Sequence, residues 1–109
     1  MKTASEHVIA VNESTFDAEV LASPVPVLVD FSAAWCPPCR ALDPIVTKLA
    51  EERKGELRVA MVDLDACPNL AIRYGVRGAP TLIYFVGGKE TARQLGLTTP
   101  KKLREMVTS

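Results

Sequence analysis

Residues 27–31, Val-Leu-Val-Asp-Phe, put apolar side chains on both faces of an extended strand. Successive strand residues point to opposite faces, so such a run is stable only at the centre of a sheet covered on both sides. This segment therefore demands neighbouring strands and helices above and below. Leu57–Leu64 repeats the pattern and reads as a third strand. Val8–Val11 is a first short strand, and Thr81–Val86 a fourth. Gly87-Gly88 is a two-residue hairpin signal, because tight hairpin turns need positive φ, and Thr91–Leu95 pairs back antiparallel as a fifth strand.

Helical signals fill the gaps. Asn12 can cap a helix in which Phe16 and Val20 lie one turn apart, closed by Ser23-Pro24-Val25-Pro26. Cys39, Leu42, Ile45, Val46 and Leu49 form a helical stripe, with Gly55 as its C-terminal cap. Pro44 falls inside this helix and should kink it, since its ring removes a donor and crowds the preceding turn. A short helix runs from about Pro68 to Tyr74 and closes at Gly75. Thr99 caps a last helix, with Pro100 at its first position and Leu103, Met106 and Val107 on its buried face. The order is β-α-β-α-β-α-β-β-α. It predicts an α/β fold, a central mixed five-stranded sheet flanked by about four helices, mostly parallel with an antiparallel closing hairpin. A chain of 109 residues fits one domain, 1–109.

Composition excludes several functions. Thirteen basic and thirteen acidic residues cancel, so nothing favours nucleic acid or an anionic membrane as a partner. No apolar run approaches the roughly 18–20 residues that span a bilayer. Met1–His7 contains no apolar stretch after Lys2, so no secretory leader is expected. Three cysteines are too few for a disulfide-stapled scaffold. A cytoplasmic protein whose cysteines are chemical rather than structural is the expectation.

Two of those cysteines stand in Trp35-Cys36-Pro37-Pro38-Cys39, between a strand and a helix. Unpaired N–H groups at a helix start stabilise negative charge, which raises the thiolate fraction at Cys36. The three-residue offset brings the Cys39 sulfur within disulfide reach. Cys36 would attack a substrate disulfide, and Cys39 would then displace the substrate from the mixed disulfide. A zinc site is the bland alternative. It needs further ligands at fixed spacing, and only Cys67 and His7 remain, so no metal is expected.

Val29 to Arg40, with its Trp-Cys-Pro-Pro-Cys core, resembles the active-site signature of the thioredoxin family. The resemblance continues through Pro44, Tyr74 to Leu82, Gly87-Gly88 and Gly96, and covers almost the whole chain. It implies the thioredoxin fold and a protein-disulfide reductase. Cys36 matches the nucleophile, Cys39 the resolving cysteine, and Asp30 the buried carboxylate that helps move the resolving thiol's proton. Burial raises a carboxyl's pKa, which suits that work near neutral pH. Pro80 matches the family's cis-proline, which would bring the Ala79 backbone beside Cys36. Trp35, Pro37, Pro38, Ala79, Pro80, Gly96 and Leu97 would form a mostly apolar docking surface. The resemblance also implies no bound cofactor, and electrons from NADPH through a separate thioredoxin reductase. Disulfide-bearing client proteins are the expected partners, and a monomer the expected state.

Three positions depart from the common pattern. Pro37 stands where glycine is usual, removing one donor to Cys36. Ser32 stands where tryptophan is frequent. Met61 stands where many members carry lysine, which leaves Asp30 without a cation and should favour its protonated form. Cys67, before Pro68, reads as a small buried hydrophobe, with a reactive thiol as the minor alternative. His7 reads as a strand-edge residue, exposed or structural, and Lys101, Lys102 and Arg104 as a solvated helix face. Two other functions stay open: an oxidising or isomerising catalyst with the same cysteines, and a binding module in which they are idle.

Overall fold

Strand β2 (Val27–Ser32) is buried along its whole length in the computed structural model, which describes residues 7–108. The stretch read for a leader lies almost wholly outside these residues. Strand β2 is central because β3 (Arg58–Asp63) flanks it on one side and β4 (Thr81–Val86) on the other. Outside these lie β1 (Val8–Val11) and β5 (Lys89–Leu95), giving the order β1-β3-β2-β4-β5. The expected mixed sheet of five strands is present.

The alternation of β2 divides the core. Leu28 packs with Leu42, Val46 and Leu49 under the helices α1 (Pro37–Glu52) and α3 (Pro100–Met106). Val27, Val29 and Phe31 pack on the opposite face with Phe16, Val20 and Leu70, under α2 (Pro68–Tyr74). There Phe16, Tyr74 and Phe85 meet with ring centroids 5.3–5.9 Å apart, a favourable range for aromatic pairs. Asp30 falls on the α1 side, in register with Met61 of β3 and Leu82 of β4.

Three local expectations are corrected. The first helix is a single π-helical turn, Asp17–Leu21, closed by the Ala22 N–H donating to Asp17 O at 3.0 Å. Asn12 caps the turn before it, accepting from the N–H groups of Ser14 and Thr15. Phe16 and Val20 still share a buried face. Secondly, α1 ends one turn before Gly55: its C-cap is Arg53, whose N–H donates to Leu49 O at 3.0 Å. Pro44 lies within α1 without ending it.

The third correction concerns direction. Only β1–β3 and β2–β3 are parallel, because β4 runs antiparallel to β2 as well as to β5. The connection through α2 enters β4 at the end of the sheet where β3 stops, so β4 runs back against β2. The ends of β2, β3 and β5 and the starts of α1 and β4 therefore converge on one edge of the sheet.

Candidate active site

At that edge β2 leads through buried Ala33 and exposed Ala34 and Trp35 to Cys36. Cys36 has extended backbone (φ −104°, ψ 105°) and is the N-cap of α1. Pro37 and Pro38 occupy the first two helical positions, where a missing N–H removes no intrahelical bond. The first amide that α1 offers belongs to Cys39, and it donates to Cys36 Sγ at 3.2 Å. The Cys36 sulfur thus sits at the positive end of the helix with a donor aimed at it. The two cysteines are joined as a disulfide, with Cα atoms 5.2 Å apart.

A second loop approaches from the start of β4. The Ala79–Pro80 peptide is cis, and the Ala79 carbonyl oxygen lies 3.4 Å from Cys36 Sγ. The Gly96 N–H donates to Pro80 O at 2.8 Å, tying the loop after β5 to it. Gly96 has φ +86°, a conformation that side chains resist. Around the disulfide, Trp35, Pro37, Pro38 and Leu97 are exposed, Ala79 and Gly96 are half-buried, and Pro80 is buried. The expected docking residues are therefore brought together, with Pro80 as support rather than contact surface. Leu95 adds to the exposed apolar area at 67% exposure, and sequence reasoning missed it.

Two further contacts were also missed. The Trp35 Nε1–H donates to Asp65 Oδ1 at 3.2 Å, which fixes the indole against the loop after β3. Arg40 Nη1 donates to Ala34 O at 2.6 Å and braces the segment leading into the turn.

On the face of β2 turned to α1 lies Asp30, fully buried, with neither carboxylate oxygen hydrogen-bonded. Burial pushes its pKa up to about 7, and the nearby Asp43 carboxylate adds to the rise. Asp43 is on α1, partly exposed, and its pKa is also raised by burial, with the Arg40 guanidinium opposing. A buried carboxyl that titrates near neutrality can take or give a proton in exchange chemistry.

Residues 7–109 match the family model for thioredoxin. The chain belongs to the thioredoxin family. It is 39% identical over 97 residues to thioredoxin of Rickettsia felis, covering 89% of this chain and 92% of that protein. It is 46% identical over 86 residues to thioredoxin 1 of a Nostoc species, covering 79% and 80%. A chloroplastic M-type thioredoxin of Chlamydomonas reinhardtii is 47% identical over 87 residues, covering 80% and 62%. Like other thioredoxins, the chain is a thiol–disulfide oxidoreductase of the disulfide-reductase type.

Two of the three departures from the usual thioredoxin pattern, Met61 and Ser32, lie in the sheet close to Asp30. Met61 is buried beside it in the β2–β3 register and supplies no charge. Ser32 lies two residues along the same strand, fully buried, with its Oγ unpartnered. Cys67 lies elsewhere, buried in the core under α2, where burial pushes its thiol pKa up. That is the inert, hydrophobic behaviour expected of it. Lys101, Lys102 and Arg104 are exposed, while His7 is half-buried. Among the described residues no group of three or more His, Cys, Asp or Glu could hold a metal ion, and no helix is long and apolar enough to cross a membrane.

Proposed function

We propose that Cys36 is the nucleophile, Cys39 the resolving thiol and Asp30 the proton acceptor for Cys39. The Cys36 thiolate attacks one sulfur of a client disulfide. A Cys36–client bond forms, and the other client sulfur leaves with the electron pair and takes a proton. Cys39 gives its proton to Asp30 and attacks Cys36 Sγ. The Cys36–Cys39 bond forms and the second client sulfur departs as a thiolate, which takes a proton from solvent. Two electrons have passed from the protein dithiol to the client.

The single observation that carries these roles is the bond from the Cys39 N–H to Cys36 Sγ at the start of α1. It supports charge on Cys36, and the Cys39 side chain, buried on α1, is left to resolve the mixed disulfide. Trp35, Pro37, Pro38, Ala79, Gly96 and Leu97 receive the client, with Pro80 holding Ala79 in place. Ala79 offers its backbone to an extended client segment, and the flat apolar surface selects exposed disulfides more than sequence. A separate thioredoxin reductase using NADPH returns the electrons, so the chain acts in electron transport with no cofactor of its own. It works as a monomeric single domain, 1–109, in the cytoplasm. Its equal numbers of basic and acidic residues favour neither nucleic acid nor membrane as a partner.

The test is a pair of variants assayed for thiol release from a disulfide-bearing protein. Cys36→Ser is expected to abolish turnover. Cys39→Ser is expected to accumulate a covalent client adduct, visible on a non-reducing gel and lost on adding dithiol. Turnover that survives Cys36→Ser, or an adduct formed equally by Cys36→Ser, would refute these roles.

A further inference from the structure

The buried side-chain oxygens without a hydrogen-bond partner, among the described residues, are Asp30 Oδ1, Asp30 Oδ2, Ser32 Oγ and Asp43 Oδ1. All four belong to one layer. Asp30 and Ser32 are two residues apart on β2 and share the face turned to α1. Asp43 is four residues beyond Cys39 on α1, so the two stack along one side of the helix. Helical side chains lean toward the N-terminus, which tilts Asp43 toward Cys39.

Such a cluster is costly while every carboxyl is ionised. A carboxylate has only acceptors, and two carboxylates at close range also repel. A single proton on either one creates an O–H donor and removes the repulsion. The surroundings offer no other counter-charge from the sheet. Met61 and Leu82 flank Asp30 in register, and Leu103 and Val107 of the α3 segment complete the layer. Tyr84, also in this layer, has its hydroxyl directed to Val107 O at 3.4 Å. Arg40 acts on Asp43 from α1, and the reduced thiols of Cys36 and Cys39 are the remaining ionisable groups. The two carboxyls differ in access. Asp30 is sealed, whereas Asp43 is partly exposed and only its Oδ1 is buried without a partner.

We propose that Asp43 is a positioning residue for the exchange reaction: it shares with Asp30 the proton taken from Cys39 and provides the outlet by which that proton reaches solvent. This rests on Asp30 being the acceptor for Cys39. In resolution the Cys39 proton moves to Asp30, the Cys36–Cys39 bond forms, and the client thiolate leaves and is protonated by water. The Asp30 proton then passes to Asp43 and to solvent, which resets Asp30 as a carboxylate. Asp43 acts twice, by keeping Asp30 basic enough to accept and by giving it a route to discharge.

The experiment mixes fully reduced protein with an aromatic disulfide reagent in a stopped-flow instrument. The first burst of coloured thiol reports attack by Cys36, and the second reports resolution by Cys39. Wild type, Asp43→Asn, Asp43→Glu, Asp30→Asn and the double Asn variant are compared across neutral pH, with the Asp30 midpoint read by carboxyl NMR. Asp43→Asn is expected to lower the Asp30 midpoint by about half a pH unit or more. It should also slow the second burst by roughly threefold or more near neutrality, leaving the first unchanged. Asp43→Glu should restore both, and Asp43→Asn should add nothing once Asp30 is Asn. If Asp30→Asn slows the second burst and Asp43→Asn changes neither it nor the midpoint, the proposal alone falls. If Asp30→Asn leaves the second burst unchanged, the role of Asp30 falls and the proposal with it.

Discussion

Met61 stands directly across from Asp30 in the parallel β2–β3 register. The two side chains that flank the buried carboxyl in the sheet are therefore this thioether and the aliphatic Leu82. Burial acts on Asp30 with no cation to oppose it, and the carboxyl titrates near neutrality. Replacing this neighbour tests the cause. In Met61→Lys an ammonium placed beside Asp30 favours the carboxylate and should lower its NMR midpoint by about one unit or more. An unmoved midpoint would show that the register neighbour does not control Asp30.

The same burial makes stability depend on pH. The Asp30 pKa is near 3.8 in the unfolded chain and about 7 in the fold. Between these values the unfolded state loses its proton and the folded state keeps it. The unfolded state then binds fewer protons, so stability falls as pH rises from about 4 to about 7 and levels off above. Each pH unit between the two values is worth on the order of 1.4 kcal/mol, so the full span amounts to a few kcal/mol. In the oxidised protein, Asp30→Leu should have a higher urea midpoint than wild type at pH about 8, with the difference shrinking toward pH about 4. A difference independent of pH would assign the effect to packing instead.

Trp35 is anchored by one exposed hydrogen bond to Asp65. A bond of this kind contributes only about 0.5–1.5 kcal/mol to folding, yet it orients the largest exposed side chain beside Cys36. Asp65→Ala should leave the unfolding midpoint nearly unchanged while Trp35 fluorescence anisotropy falls and KM for a client protein rises about two- to fivefold. Unchanged anisotropy would mean that packing, and not Asp65, holds the indole.

The fold was legible wherever one residue type carries one consequence. Gly87 and Gly88 specify the hairpin, and both adopt positive φ, at 60° and 79°. Thr99 specifies a helix start, and its hydroxyl accepts from the Lys102 N–H. The direction of β4 was not legible in β4 itself, because an apolar strand of this length pairs equally well either way and only the β2–β4 register shows it to be antiparallel. Likewise, Asn12 announces a turn but not whether the helix beyond it winds as α or π. At the site, Cys36, Cys39 and Asp30 were legible as chemical types in telling places: thiols at a helix start, an acid in an apolar strand. Asp43 and Asp65 carry no such mark. An acid on a half-exposed helix face or in a loop is ordinary, and what distinguishes these two is a neighbour from another element. Only the fold brings Asp43 near Asp30, or Asp65 against an indole thirty positions earlier.

The paired prolines of the turn have a consequence for timing. With no N–H on Pro37 or Pro38, the first amide able to face the Cys36 sulfur belongs to Cys39. In the proposed cycle, the residue whose backbone donates to the attacking sulfur is thus the residue whose side chain later displaces the client. That amide keeps its bond to the Cys36 sulfur even with the disulfide closed. Support and displacement are two ends of one lever, and a single amino acid is its pivot.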